Sequence, residues 1–228
     1  MENFHSTVIK LPKSVIRKEK EFKDKELLVL CYLFFKTDCE HNIHTTINFM
    51  CEEFNLSITS HADKNNQYYI KEILQDLINK NIIKLLSHKD ITKVNNDRLI
   101  KLYFEKYDDY INISSQYIVL SIEEFNKILS YKKDISKLLN LYCRIKSYVC
   151  MDENCLKICY PSIETMCKDF HCSRNTLKPI LNILQENNLI YIYRFDPKEL
   201  KSSLYNTEYI FALEKYTSKQ IKQQFVLG

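Results

Sequence analysis

Residues 161–190 read PSIETMCKDFHCSRNTLKPILNILQENNLI, and the spacing of their apolar residues decides the fold. Ile163, Met166, Cys167 and Phe170 fall at i, i+3, i+4 and i+7, one apolar stripe of a short helix. Pro161 and Ser162 open that helix, with Ser162 as N-cap and Glu164 and Thr165 in the first turn. After His171-Cys172, Ser173 caps a second helix whose inner face carries Leu177, Ile180, Leu181 and Leu184. Asn187-Asn188 stops it, because asparagine tolerates the left-handed conformation. The alternating segment LIYIYRF (189–195) then reads as a strand.

The flanks complete a unit. Upstream lie a helix over roughly 133–149, a polar turn and the alternating strand CLKICY (155–160). Downstream, the polar loop DPKELKSSLYN leads to the strand TEYIFAL (207–213). The resulting order is helix, strand, helix, turn, helix, two-stranded hairpin.

The same order occurs twice. INFMCEEFNLS (47–57) aligns with IETMCKDFHCS (163–173), matching Ile, Met, Cys, Phe and Ser. IKEILQDLINKNIIKLL (70–86) follows the apolar pattern of LKPILNILQENNLIYIY (177–193), and LCYLFFK (30–36) corresponds to LYCRIKS (141–147). TVIKLP (7–12) and YIVLSIEEF (117–125) each begin a copy with a strand-like segment. The repeat predicts an α+β, predominantly helical chain of two tandem units, 1–114 and 115–216, followed by a tail, 217–228.

Composition removes several functional classes. Gly228 is the single glycine among 228 residues, so no Gly-rich dinucleotide or phosphate-binding loop exists. The longest apolar run, LLVLCYLFF (27–35), is too short to span a bilayer and reads as a buried helix. No secretory signal is legible at the N-terminus, and nine cysteines without one point to reduced thiols in a cytoplasm. Residues 1–115 carry 17 basic and 17 acidic side chains, whereas 116–228 carry 16 and 12. The whole excess of +4 therefore lies in the second half, which favours an anionic partner there.

The stretch 161–190 closely resembles the winged helix-turn-helix signature of bacterial DNA-binding proteins. In that signature Pro-Ser opens helix two, a small turn ends in an apolar residue plus Ser-Arg, and a recognition helix closes on a Leu-Ile strand. Two such units in about 230 residues look like the tandem winged-helix replication initiators of plasmids and phages, or their accessory replisome proteins. The resemblance implies sequence-specific binding of double-stranded DNA in the bacterial cytoplasm, associated with nucleoid or plasmid. It implies no enzymatic activity, cofactor, membrane or small-molecule substrate. The family places a residue able to adopt positive φ, usually glycine, between helices two and three; here it is His171, and Asn55 in the first copy.

A recognition helix in the major groove presents its N-terminal turn and outer face. With the leucines inward, a 100° step turns Asn175, Pro179 and Asn182 outward, flanked by Arg174 and Lys178. Arg174 stands out because the chain has five arginines against 28 lysines, and its fork suits bidentate contact with guanine. Ser173 and Thr176 offer hydroxyls to phosphate. Arg194, Lys198 and Lys201 belong to the wing, and Lys89 and Lys93 to the wing of the first copy. Pro179 departs from the family pattern and implies a bend in this helix.

The cysteines and histidine of the opening stretch read as core and turn residues rather than a metal or thiol site. The first copy turns Tyr68, Glu72 and Gln75 outward, and glutamate opposes phosphate. Its expected role is dimerisation or auxiliary DNA contact. A transcriptional regulator and a tandem winged-helix protein–protein adaptor both remain compatible with this reading.

Overall fold

A computed structural model describes residues 7–13, 16, 24–58, 65–113, 116–149, 155–195 and 209–227. About half of these residues are helical, and the strands form small antiparallel sheets, an α+β architecture. The chain divides into two compact units between Leu139 and Asn140, with Ile16 grouping with the second.

The first unit begins with β1 (Val8–Pro12) and α1 (Asp24–Lys36). Every residue of α1 from Glu26 to Phe34 is buried, as the uninterrupted apolar run requires. There follow β2 (Asn42–Thr45), α2 (Ile47–Glu53), α3 (Asn66–Asn79), β3 (Ile83–Leu85), a single 3₁₀ turn at Ile91–Lys93, and β4 (Ile100–Phe104). The hairpin places β4 centrally, in the order β2-β4-β3. A short α4 (Tyr107–Ile111), β5 (Tyr117–Ser121) and α5 (Ile122–Leu129) come next, then α6 (Ile135–Tyr148), within which the two units divide.

The division lies downstream of the 114/115 boundary read from the repeat, and strand pairing explains why. β1 and β5, read as the opening strands of separate copies, pair antiparallel with each other, Ile9 opposite Leu120 and Leu11 opposite Ile118. All four side chains are fully buried. Two alternating strands that each bury one face satisfy both pairing and burial in this way.

The second unit continues with β6 (Ile158–Cys159), α7 (Ile163–Asp169), α8 (Arg174–Glu186), β7 (Tyr191–Arg194), β8 (Tyr209–Ala212) and α9 (Ser218–Leu227). Its sheet order, β6-β8-β7, repeats that of the first unit, with the last strand again central. The segment read as a tail contains α9, whose Ile221 is buried with Ile158, Phe195, Ile210 and Ala212.

Four helices end the same way without glycine. Asn55, Asn81, His171 and Asn188 adopt φ of 50°, 53°, 44° and 54° after α2, α3, α7 and α8. Each N–H bonds three residues back, and the next residue's N–H bonds five back, as in Leu56 to Cys51 at 2.8 Å and Leu189 to Leu184 at 2.9 Å. These are Schellman closures, which satisfy carbonyls orphaned at a helix end. The left-handed residues expected at 55 and 171 are in place, and of the pair Asn187-Asn188 it is Asn188 that adopts this conformation while Asn187 has φ of -87°.

Candidate nucleic-acid interface

The helix pair of the second unit is built by its caps. Ser162 Oγ accepts the Thr165 N–H at 3.0 Å, and Ser173 Oγ accepts that of Thr176 at 3.3 Å. Both serines satisfy N–H groups that a helix start leaves orphaned. Between the helices, the buried Arg144 of α6 donates from Nη2 to the Asp169 carbonyl at 3.3 Å and from Nη1 to the Ile16 carbonyl at 2.7 Å. Its guanidinium also lies 5.9 Å from the Phe170 ring centroid. The Tyr148 hydroxyl donates to the Asp169 carboxylate. The end of α7 is thereby clamped to α6, which fixes where α8 starts.

α8 buries Leu177, Leu181 and Leu184 and exposes Arg174, Asn175, Thr176, Lys178, Pro179 and Asn182. The outward face deduced from helical periodicity is therefore the exposed one. Pro179 lies inside a helix that remains one element of 13 residues. Because proline has no N–H, the Asn175 carbonyl lacks its usual helical donor, and both residues lie on the exposed side of the helix. Arg174 forms an ion pair with Glu164 across the turn, both side chains being more than half exposed. Arg194 is exposed on β7, its guanidinium 5.8 Å from the ring centroid of Tyr209, its cross-strand partner. Lys198 and Lys201 lie outside the described residues.

The first unit has the same topology with the opposite treatment of the equivalent face. The buried residues Ile70, Leu74 and Leu77 of α3 correspond to Leu177, Leu181 and Leu184 of α8, so Gln67 corresponds to Arg174 and Lys71 to Lys178. Gln67 is 3% exposed. Lys71 Nζ donates to the Val94 carbonyl at 2.5 Å, and burial lowers its pKa below the ordinary lysine value. What covers them is the loop between β3 and β4. It anchors through buried Ile91 and Val94, and Asn48 bonds to it twice, from N–H to the Asn96 carbonyl at 3.1 Å and from Nδ2 to Asp97 Oδ1 at 2.6 Å. Gln67 Nε2 joins the same network through Asn48 Oδ1 at 3.4 Å.

Lys89 is exposed on this loop, while Lys93 forms an ion pair with Asp90 at 3.4 Å. Tyr68 and Glu72 are exposed, as read from the sequence, whereas Gln75, read as outward too, is half-buried and donates to Asn79 Oδ1 at 2.9 Å. The folded-back loop and the Arg144 clamp were not anticipated. The one local signal was the pair Ile91 and Val94, apolar residues three apart in an otherwise polar wing.

The thiols behave as packing groups. Burial raises Cys159 to about 12 and Cys51 to about 11, far from the range of a reactive thiolate. Cys167 and Cys172 are half-buried. Among the described residues, no group of three or more His, Cys, Asp or Glu side chains is placed to hold a metal ion. None of the described helices is long and apolar enough to cross a membrane. No protein-family model matches the chain, and no curated protein matches it.

Proposed function

We propose that this chain is a tandem winged helix-turn-helix protein whose second unit binds double-stranded DNA. In this reading α8 enters the major groove, and Asn175, Lys178 and Asn182 meet base edges and phosphates. Arg174 is the principal base reader, exchanging Glu164 for guanine. Ser173 remains the helix cap, and Thr176 and Arg194 approach the backbone. Lys198 and Lys201 belong to the wing in the same reading.

The observation that carries this proposal is the contrast between equivalent positions. Arg174 and Lys178 stand exposed on α8, whereas Gln67 and Lys71 lie beneath a loop on α3. With Gln67 and Lys71 covered, α3 offers Tyr68 and Glu72 outward, a face that opposes phosphate, so DNA reading falls to the unit that also carries the basic excess.

The first unit then takes a supporting role through protein contact, dimerisation included. Six of the seven exposed large apolar side chains among the described residues lie there, Phe49, Tyr68, Tyr69 and Leu99 among them. Resemblance to plasmid and phage initiators supplies the biological process: replication of a mobile element in the bacterial cytoplasm. Footprinting on DNA flanking the gene tests the proposal, with protection of discrete sites expected. Absence of salt-sensitive binding to any duplex refutes it, because neutralising phosphates releases counterions.

A further inference from the structure

We infer that Glu164 is a base-reading residue, one that accepts a hydrogen bond from cytosine while Arg174 donates to the guanine paired with it. The inference rests on the proposal that α8 enters the major groove, and it assigns a task there to the ion pair at the start of α8.

Glu164 is held in place from both ends of its helix. It stands exposed in the first turn of α7, one residue after buried Ile163 and two before buried Met166. Ser162 caps that turn, and the bonds of Arg144 and Tyr148 to Asp169 fix the far end. The Glu164 carboxylate accepts from Arg174 Nη2, and the two side chains, 54% and 61% exposed, present this pair to solvent. Among the described residues, each is the other's only ion-pair partner.

The meeting of these two positions belongs to the repeated helix pair, since it recurs in the first unit. Aligning Ile47 with Ile163 puts Asn48 at the place of Glu164, and Gln67 stands at that of Arg174. There Asn48 Oδ1 accepts from Gln67 Nε2 at 3.4 Å. The second unit keeps the contact, replaces two amides by opposite charges and exposes both.

Opposite charges side by side fit one base-pair edge. In the major groove guanine offers the N7 and O6 acceptors, and beside O6 its cytosine offers an N4–H donor. A guanidinium has donors for the first two, and a carboxylate next to it has an acceptor for the third. Once Arg174 exchanges Glu164 for guanine, the carboxylate is left as an unpaired anion facing the duplex, which is costly. Cytosine N4 replaces the donor it loses. A guanine and its cytosine are thus read together by side chains from two helices.

The test uses a duplex selected by the full wild-type chain from a random pool. Replacing its guanines in turn by 7-deazaguanine, which lacks the N7 acceptor, finds the one whose change weakens wild type but not Arg174→Ala. The cytosine opposite that guanine is then replaced by 2-pyrimidinone, which lacks the N4 amino group. Wild type is expected to lose about fivefold in affinity, the low end for a base contact, and Glu164→Ala to lose nothing. Because both proteins meet the same modified duplex, its weaker pairing cancels from the comparison. Thermal melts of Glu164→Ala are expected to stay close to wild type, since the pair is exposed. An equal loss in both proteins overturns the inference. So does tighter binding of the unmodified duplex by Glu164→Ala, which makes Glu164 a competitor for Arg174 and nothing more. A selected duplex with no guanine read through Arg174 overturns it too. These outcomes leave DNA binding in place, whereas failure to select any duplex removes the DNA reading and the inference with it.

Discussion

Lys71 and Lys178 occupy equivalent helix positions, and truncating each separates the two units by mechanism. Lys178 is exposed on α8, so as a phosphate contact it contributes about 0.9 to the slope of log affinity against log salt. Between 50 and 200 mM salt that slope amounts to a factor of about 3.5. Lys178→Ala is therefore expected to cost about 3.5-fold more affinity at the lower salt than at the higher, with folding unchanged, since alanine suits a helix surface.

Lys71→Ala should do the reverse. Its ammonium serves the Val94 carbonyl, and a hydrogen bond from a charged donor that is partly solvated is worth about 1 kcal/mol. The expected result is an unchanged salt slope and an unfolding free energy lowered by that amount, a shift of the urea midpoint of about 0.5 M for an m-value of about 2 kcal/mol/M. Anisotropy of a labelled duplex across the salt range, with urea melts alongside, reads both quantities. If Lys71→Ala flattens the slope as much as Lys178→Ala, the β3–β4 loop does not shield α3 from DNA and the assignment of roles fails.

Arg174→Ala should lose roughly 1–3 kcal/mol at a site selected from a random duplex pool while barely changing non-specific affinity. Equal loss on every sequence makes Arg174 a phosphate contact. Asn188→Val forces a β-branched residue into φ of 54° and should cost about 1–2 kcal/mol, whereas Asn188→Gly should be neutral or stabilising by up to about 1 kcal/mol in the same melts. At pH 8 iodoacetamide should label exposed Cys39 in the native protein and spare Cys159, which is buried and whose thiol burial raises to about 12. Labelling of Cys159 before urea is added contradicts its buried placement. Ile221→Ala should destabilise the second unit by roughly 2–5 kcal/mol if α9 is part of its core, and an unchanged melt makes it an appendage.

The readings that hold are local ones. The caps at Ser162 and Ser173, the left-handed residues at 55, 171 and 188, and the inner face of α8 each depend on residues within five positions of one another. Capping, φ preference and 3.6-residue periodicity act over that range, so one sequence suffices. The pairing of β1 with β5 does not share that property. Each strand was recognised by its alternation, but alternation states which face is buried, never which partner covers it. Strands more than 100 residues apart found each other, and the compact unit extends past the repeat boundary in consequence.

The interface was half legible for a related reason. Exposure on α8 follows from helix geometry alone, so the sequence places Asn175, Lys178 and Asn182 outward, as they are in the fold. By the same geometry Gln67 and Lys71 should have matched Arg174 and Lys178. They do not, because Asn48 reaches Asp97 across 49 residues and Lys71 reaches Val94 across 23, and these bonds close a loop over the helix. Net charge foreshadowed the outcome without its mechanism: the balanced half covers Gln67 and Lys71, and the basic half exposes Arg174 and Lys178. A repeat thus transmits the backbone order, while polar side chains at a few loop positions determine which copy exposes these two helix positions. Opening that loop, by Asn48→Ala combined with Asp97→Ala, is the direct test. Exposure of Lys71 to amine-reactive reagent without gain of duplex affinity would mean that the loop is not what withholds α3 from DNA, leaving Glu72 as the obstacle.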